Sequence, residues 1–156
     1  MYHDLVPAGR RAGKEIRGRE LTIRALEHVT IRCAQLQRTR DFYCQLLGLG
    51  DGARPDFPFR GHWLYLGAVP VIHLVEAADM DGAAWAGDGK RPPPSPEDGT
   101  GAFDHVAFQG DDFEEMRTRL AAAGVNFRER IVPGGKLRQL FVPDPEGVLV
   151  EINFRN

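Results

Sequence analysis

The stretch "LEHVTIRC" at residues 26–33 has a near copy, "FDHVAFQG", at residues 103–110. In both, an acidic residue, a histidine and a valine stand in the same order, and the two histidines, His28 and His105, are 77 positions apart. Strand side chains alternate faces with a period of two. Val29 and Ile31 therefore oppose His28 and Thr30, and Val106 and Phe108 oppose His105 and Ala107. Apolar β-branched and aromatic residues suit the face packed on a helix, which leaves each histidine on the other, concave face.

The segments downstream of the two copies repeat as well. Leu36, Phe42, Tyr43, Leu46 and Leu47 recur at three- and four-residue steps, a helical stripe that Gly48 and Gly50 stop. Residues 54–60, with Pro55 and Pro58, read as an edge strand or loop, since proline cannot donate to a ladder. Strands are expected at 62–67 ("HWLYLG") and 70–76 ("PVIHLVE") around a tight glycine turn. In the second half a strand at 104–109 leads to a helix at 112–123. There Asp111 and Glu114 resemble a capping box, Phe113, Met116 and Leu120 form the stripe, and Gly124 is the stop. Strands at 126–132, 137–142 and 148–154 complete it, the last two joined by the turn-forming "PDPEG". The organisation is two tandem βαβββ units, an α+β fold. An N-terminal arm (1–24) precedes a first module (25–76). A Gly/Pro-rich linker (77–103), in which Trp85 is a candidate anchor, leads to a second module (104–156). Neither unit alone buries both faces, so the two share one structure.

The last strand of each module carries a further polar residue on the histidine face. Ile72 and Leu74 oppose His73; Val150, Ile152 and Phe154 oppose Glu151. Adding 77 to 73 gives 150, one short of Glu151, so these two are near-equivalent in the repeat. Four metal-capable side chains, His28, His73, His105 and Glu151, thus share one facing. Three imidazoles and a carboxylate suit one divalent transition metal (Zn, Ni, Fe(II), Co or Mn) better than calcium or magnesium, which prefer oxygen. His62 lacks a second-half counterpart and reads as structural. His3 lies in the arm, and Glu76 reads as a strand-end charge. Glu27 and Asp104 are expected to point away from the site. Arg60 and Arg138 read as surface arginines that are secondary candidates for steering an anionic substrate.

Composition sets the bounds. The 156 residues are 42% hydrophobic and 27% charged, with a formal net charge of -2, which offers no electrostatic case for nucleic acid. No stretch approaches the ~20 apolar residues of a membrane span, and the arm lacks the apolar run of a signal peptide. Cys33 and Cys44 are eleven apart, too far for a Cys-x-x-Cys motif, and read as free thiols in a reducing cytoplasm.

The motifs "EHVTIRC", "RDFYCQLLGL" (40–49), "VIHLVE", "DHVAF" and "FVPDPEGVLVEINF" (141–154) resemble the vicinal oxygen chelate superfamily, also called glyoxalase/bleomycin resistance/dioxygenase, over residues 26–154. The resemblance implies paired βαβββ modules forming an open, cup-shaped eight-stranded sheet around a metal, with helices outside. It places ligands at His28, His73, His105 and Glu151, and implies a homodimer in which the cup is in some members completed by two chains. It also implies a small-molecule substrate bound through vicinal oxygens, and an isomerase or lyase working through a metal-stabilised enediolate with Glu151 as the base. In glyoxalase-type isomerases the first module's last strand usually contributes a glutamate, where this chain has His73. The alternatives are an extradiol-type dioxygenase using His28, His105 and Glu151, and a non-catalytic bleomycin-sequestering protein.

Overall fold

The computed structural model describes residues 25–80, 97 and 99–155. The arm with His3, and the part of the linker with Trp85, lie outside the described residues. The first half runs β1 (Val29–Cys33), α1 (Leu36–Asp41), a π-helical turn (Phe42–Leu46), β2 (Gly50–Gly52), β3 (Gly61–Leu66) and β4 (Val69–Glu76). After a short 3-10 turn (Ala77–Met80), the second runs β5 (His105–Gly110), α2 (Phe113–Ala122), β6 (Arg128–Ile131), β7 (Leu137–Pro143) and β8 (Leu149–Arg155). Both halves follow the β-α-β-β-β order that the repeat predicts.

Each module builds one four-stranded open sheet, in the orders β1-β4-β3-β2 and β5-β8-β7-β6. β1 pairs parallel with β4, and β5 with β8, while the remaining neighbours run antiparallel. Among the described residues the eight strands thus divide into two sheets of four instead of one continuous sheet, and β1 and β5 are both edges.

The sequence alternation sorts the two faces. Ile31, Cys33, Leu64, Ile72 and Leu74 of the first sheet are buried in the same apolar cluster as Leu140, Val142, Val150, Ile152 and Phe154 of the second. Phe42, Tyr43, Phe113 and Leu120 of the helical segments complete that cluster. The helix-covered faces of both modules therefore merge into one core, and the histidine-bearing faces look away from it. Gly48 and Gly124, at φ +81° and +66°, end the helical segments in the left-handed conformation that glycine adopts freely.

Two local details depart from the sequence pattern. The first helix widens after Asp41, with Leu47 N donating to Phe42 O, and both Phe42 and Tyr43 become buried. At α2 the cap is Asp112, whose carboxylate accepts from Glu115 N at 2.9 Å, one residue later than the expected Asp111–Glu114 box. β5 extends to Gly110, so the chain turns one position further on.

The "PDPEG" turn joins the modules. Glu146 is buried, and its carboxylate accepts from Ala34 N (2.9 Å), Gln35 N (2.8 Å) and Thr39 Oγ1 (2.7 Å). The Tyr43 hydroxyl donates to Asp144 Oδ2 at 2.9 Å. Burial pushes the Asp144 carboxyl above its ordinary range and raises the Tyr43 phenol and the Cys33 thiol as well. Among the described residues no helix is long and apolar enough to cross a membrane.

Candidate functional site

Register makes the repeat closer than the sequence count. Thr30 pairs with His73 and Ala107 with Glu151. The step from 30 to 107 is 77 and from 73 to 151 is 78, so His73 and Glu151 occupy equivalent rungs. The extra residue falls outside the paired strands.

On the first sheet, the His28 and His73 rings stack with centroids 3.8 Å apart and planes inclined by 22°. Trp63, opposite His73 in the β3–β4 register, stacks on its other side at 4.0 Å. Phe57 and Phe59, from the proline-containing loop, extend the aromatic wall over Trp63. This sandwich buries His73 Nε2 with no hydrogen-bond partner. Burial first, and then the neighbouring His28, hold the His73 imidazole below its ordinary pKa, which favours the neutral form.

On the second sheet, His105 Nε2 faces Glu151 Oε2 at 3.3 Å. His105 Nδ1 lies 2.6 Å from Asp104 Oδ2, so the ring stands between two carboxylates, Asp104 at Nδ1 and Glu151 at Nε2. A ring proton on Nε2 or a cation between Nε2 and Glu151 Oε2 satisfies this contact. Glu151 Oε1 accepts from Gln139 Nε2 (2.9 Å) and Asn153 Nδ2 (2.7 Å), so the carboxylate is held by one oxygen and presents the other. Phe141, edge-on to His105 at 6.4 Å, floors this side.

Glu27 and Asp104 correct the expectation that they point away. Glu27 Oε2 lies 3.8 Å from His28 Nδ1, a looser version of the Asp104–His105 contact. Alternation does not govern these acids, because β1 begins at Val29 and β5 at His105, after them. His62 is structural in the way its lack of a counterpart predicts: Nδ1 meets Asp51 Oδ2 at 2.9 Å and ties β3 to β2. Glu76 lies 3.8 Å from Arg60, Arg60 Nε donates to Asp79, and Arg138 pairs with Glu114 over the Phe113 ring.

A divalent metal is what this donor chemistry implies, and the residues fit it in part. Two ligand atoms each about 2.1 Å from one tetrahedrally bound cation lie roughly 3.4 Å apart, close to the His105–Glu151 spacing. The His28–His73 pair offers a buried, unpartnered nitrogen. Its nearly parallel rings, however, do not aim their in-plane lone pairs at one point, so one ring has to turn for both to ligate. Among the described residues no group of three or more His, Cys, Asp or Glu side chains is placed to hold one ion. The chain brings His28 to His73 and His105 to Glu151, as two half-sets on two sheets. Sequence reasoning missed Trp63, Gln139 and Asn153. All three share the parity of the site residues and sit on or beside the same rungs, a signal that becomes readable once the strand register is known.

Comparison with known proteins agrees with the fold. The model of the Glyoxalase/Bleomycin resistance protein/Dioxygenase superfamily matches residues 25–152. A relative named "Glyoxylase I 4" from Arabidopsis thaliana is 29% identical over 142 residues, covering 89% of this chain and 75% of its own. Among solved structures, a glyoxalase/dioxygenase from Nostoc punctiforme superposes with a TM-score of 0.66 at 19% identity, covering 86% of this chain and 93% of that one. A lactoylglutathione lyase from Agrobacterium tumefaciens gives 0.61 at 19% identity, covering 83% and 92%.

Proposed function

Because this chain belongs to the Glyoxalase/Bleomycin resistance protein/Dioxygenase superfamily, we propose that it is a metal-dependent lyase or isomerase acting on a small molecule with two adjacent oxygens. The observation that carries this reading is the approach of His105 Nε2 and Glu151 Oε2 to 3.3 Å, with Glu151 on the rung equivalent to His73. His28 and His73 of one protomer, with His105 and Glu151 of a second, would hold one cation. Among the described residues β1, which His28 immediately precedes, and β5, which His105 opens, are sheet edges through which two copies can join their sheets. Cys33 and Cys44 are both free, which favours a reducing compartment such as the cytoplasm.

A bound divalent metal supplies Lewis acidity, drawing charge from the two substrate oxygens and easing loss of a neighbouring proton. The chain's own groups do the rest. Glu151, anchored through Oε1 by Gln139 and Asn153, is the carboxylate that would take that proton and return it. Asp104 orients the His105 ring. Trp63, Phe59 and Phe57 form an apolar wall that keeps water from one side of the site.

A second reading has its own support. His73 is clamped between His28 and Trp63, and setting it aside as a packing residue leaves His28, His105 and Glu151. Two histidines and one carboxylate are the ligand set of non-haem iron oxygenases, and a ring-cleaving dioxygenase is the corresponding activity.

Elemental analysis of untagged protein purified without chelators tests both. Zinc, nickel or cobalt with turnover of hemithioacetals supports the first reading. Iron with oxygen uptake on catechols transfers the assignment to the second. Protein that binds no metal refutes both and leaves ligand sequestration. His105→Ala is expected to lower metal content sharply, and unchanged stoichiometry overturns the proposed ligand set.

A further inference from the structure

A cavity of about 690 Å³ opens at the corner where α1 begins, lined among others by Leu36, Arg38, Arg54, Phe59, Arg60 and Glu76. It reaches from the helix-covered side of β4 to the edge where Arg54 and Phe59 pack against Trp63. Glu76 shares the parity of Ile72 and Leu74, the helix-covered side of β4, and His62, also in the lining, stands opposite Trp63 in parity. Its charge is unevenly balanced. Arg60 is held by Asp79 and Glu76. Among the described residues, Arg38 donates only to the side-chain oxygen of Gln35, and Arg54 Nη2 only to the carbonyls of Phe57 (3.0 Å) and Phe59 (2.7 Å). Arg54 Nη1 is buried with no hydrogen-bond partner. Neither Arg38 nor Arg54 meets a carboxylate among the described residues.

We propose that this cavity binds a small organic oxyanion, whose phosphate or carboxylate lies between Arg38 and Arg54 and whose apolar body rests on Leu36 and Phe59. Guanidinium groups are planar donors suited to such oxygens, and Arg54 is already oriented by its two carbonyl contacts. The volume lies within the ~300–1,000 Å³ range of small-molecule sites and far exceeds what a bare inorganic anion fills. Leu36 and Phe59 supply the apolar lining such a ligand needs.

Arg54 also makes occupancy observable. Its guanidinium carbon lies 5.2 Å from the Phe59 ring centroid and 5.5 Å from that of Trp63. Trp63 in turn stacks on His73. A ligand drawing on Arg54 therefore disturbs the Trp63 indole.

The full chain is titrated at constant ionic strength with phenyl phosphate, benzoate and inorganic phosphate, by calorimetry and by nitrogen–proton correlation spectra. Phenyl phosphate or benzoate is expected to bind more tightly than inorganic phosphate. The amides of Arg38 and Gly61 and the Trp63 indole should shift, while those of Ala107 and Asn153 stay in place. Preference for phenyl phosphate assigns the anionic group as a phosphate, and preference for benzoate as a carboxylate. Arg38→Gln is expected to weaken binding about tenfold or more through loss of a charge-assisted contact. Arg138→Gln, on the second module, is the charge control and should leave the affinity unchanged. Arg38→Lys replaces Arg38→Gln if the latter does not fold, and it too weakens binding because the fork geometry is lost. The proposal is overturned by lack of saturable binding up to about 10 mM, an affinity near −3 kcal/mol or weaker. Equal losses in the Arg38 and Arg138 variants, or shifts centred on Ala107 and Asn153, also overturn it.

Discussion

Replacing Glu146 by glutamine removes a charge from three hydrogen bonds, one buried and two part-buried, and leaves the shape unchanged. In the native corner, Oε1 accepts from Gln35 N and Thr39 Oγ1, and Oε2 accepts from Ala34 N. The amide serves two donors best by putting its oxygen in place of Oε1, which sets its NH2 group against the Ala34 N–H. One charge-assisted bond, worth about 1.5–3 kcal/mol, becomes a buried donor–donor contact, and two others weaken to neutral strength. The expected loss is about 2–4 kcal/mol, or roughly 5–15 °C in Tm for a chain of this length. Urea unfolding measures it through the midpoint at unchanged slope. A double-mutant cycle with Thr39→Ala should return a coupling of about 0.5–3 kcal/mol, because the two residues share Oε1. Hydrogen exchange adds a local readout, as the Ala34 and Gln35 amides should lose protection more than the β7–β8 ladder does. A loss below ~1 kcal/mol, or zero coupling with Thr39, would refute the claim that this carboxylate ties the first module to the second.

Three other outcomes rest on the same geometry. Burial raises the Asp144 carboxyl above its ordinary value, so its contribution to stability is complete below pH 3.8 and declines as pH rises through the raised folded value. Asp144→Asn removes that dependence, and the stability of wild type minus variant should fall with pH across this window in chemical unfolding; a flat difference contradicts it. Asp112→Ala removes the α2 cap and is expected to cost about 1 kcal/mol, read as a Tm lowered by roughly 2–4 °C, whereas Asp111→Ala should have little effect. Under the metal-centred reading, Asp104→Ala frees the His105 ring and should weaken metal affinity about 10–100-fold in a chelator competition. Glu27→Ala, whose contact is longer at 3.8 Å, should do less.

How far the molecule could be read in advance depended on whether local periodicity or tertiary apposition made the decision. Strand alternation put His28, His73, His105 and Glu151 opposite the apolar residues, and the burial of Ile31, Leu74, Val150 and Ile152 agrees. The misplaced cap shows the limit of spacing alone. Asp111–Glu114 and Asp112–Glu115 satisfy the same three-residue rule, and only the end of β5 at Gly110 selects between them. The π-helical turn was illegible for a related reason, since Phe42 and Tyr43 are both apolar enough to fit an ordinary helical stripe.

The division of the four site residues into two pairs was hidden more deeply. Periodicity states which face a side chain takes, but not which edges of two sheets meet, and here the helix-covered faces of both modules merged while β1 and β5 stayed edges. "PDPEG" has the same character. Proline, aspartate and glycine suit a turn for local reasons, and the carboxylates at 144 and 146 would ordinarily be assigned to solvent. They are instead buried against Tyr43 and Thr39, more than 100 residues earlier. That long-range pairing fixes how the modules sit and therefore which way each histidine face looks. The placement of the half-sites thus draws on Asp144 and Glu146 as well as on the merged core. Loosening that corner should therefore reduce assembly of the site even with all four proposed ligands intact, and metal stoichiometry in Glu146→Gln, measured where the variant remains folded, tests that dependence.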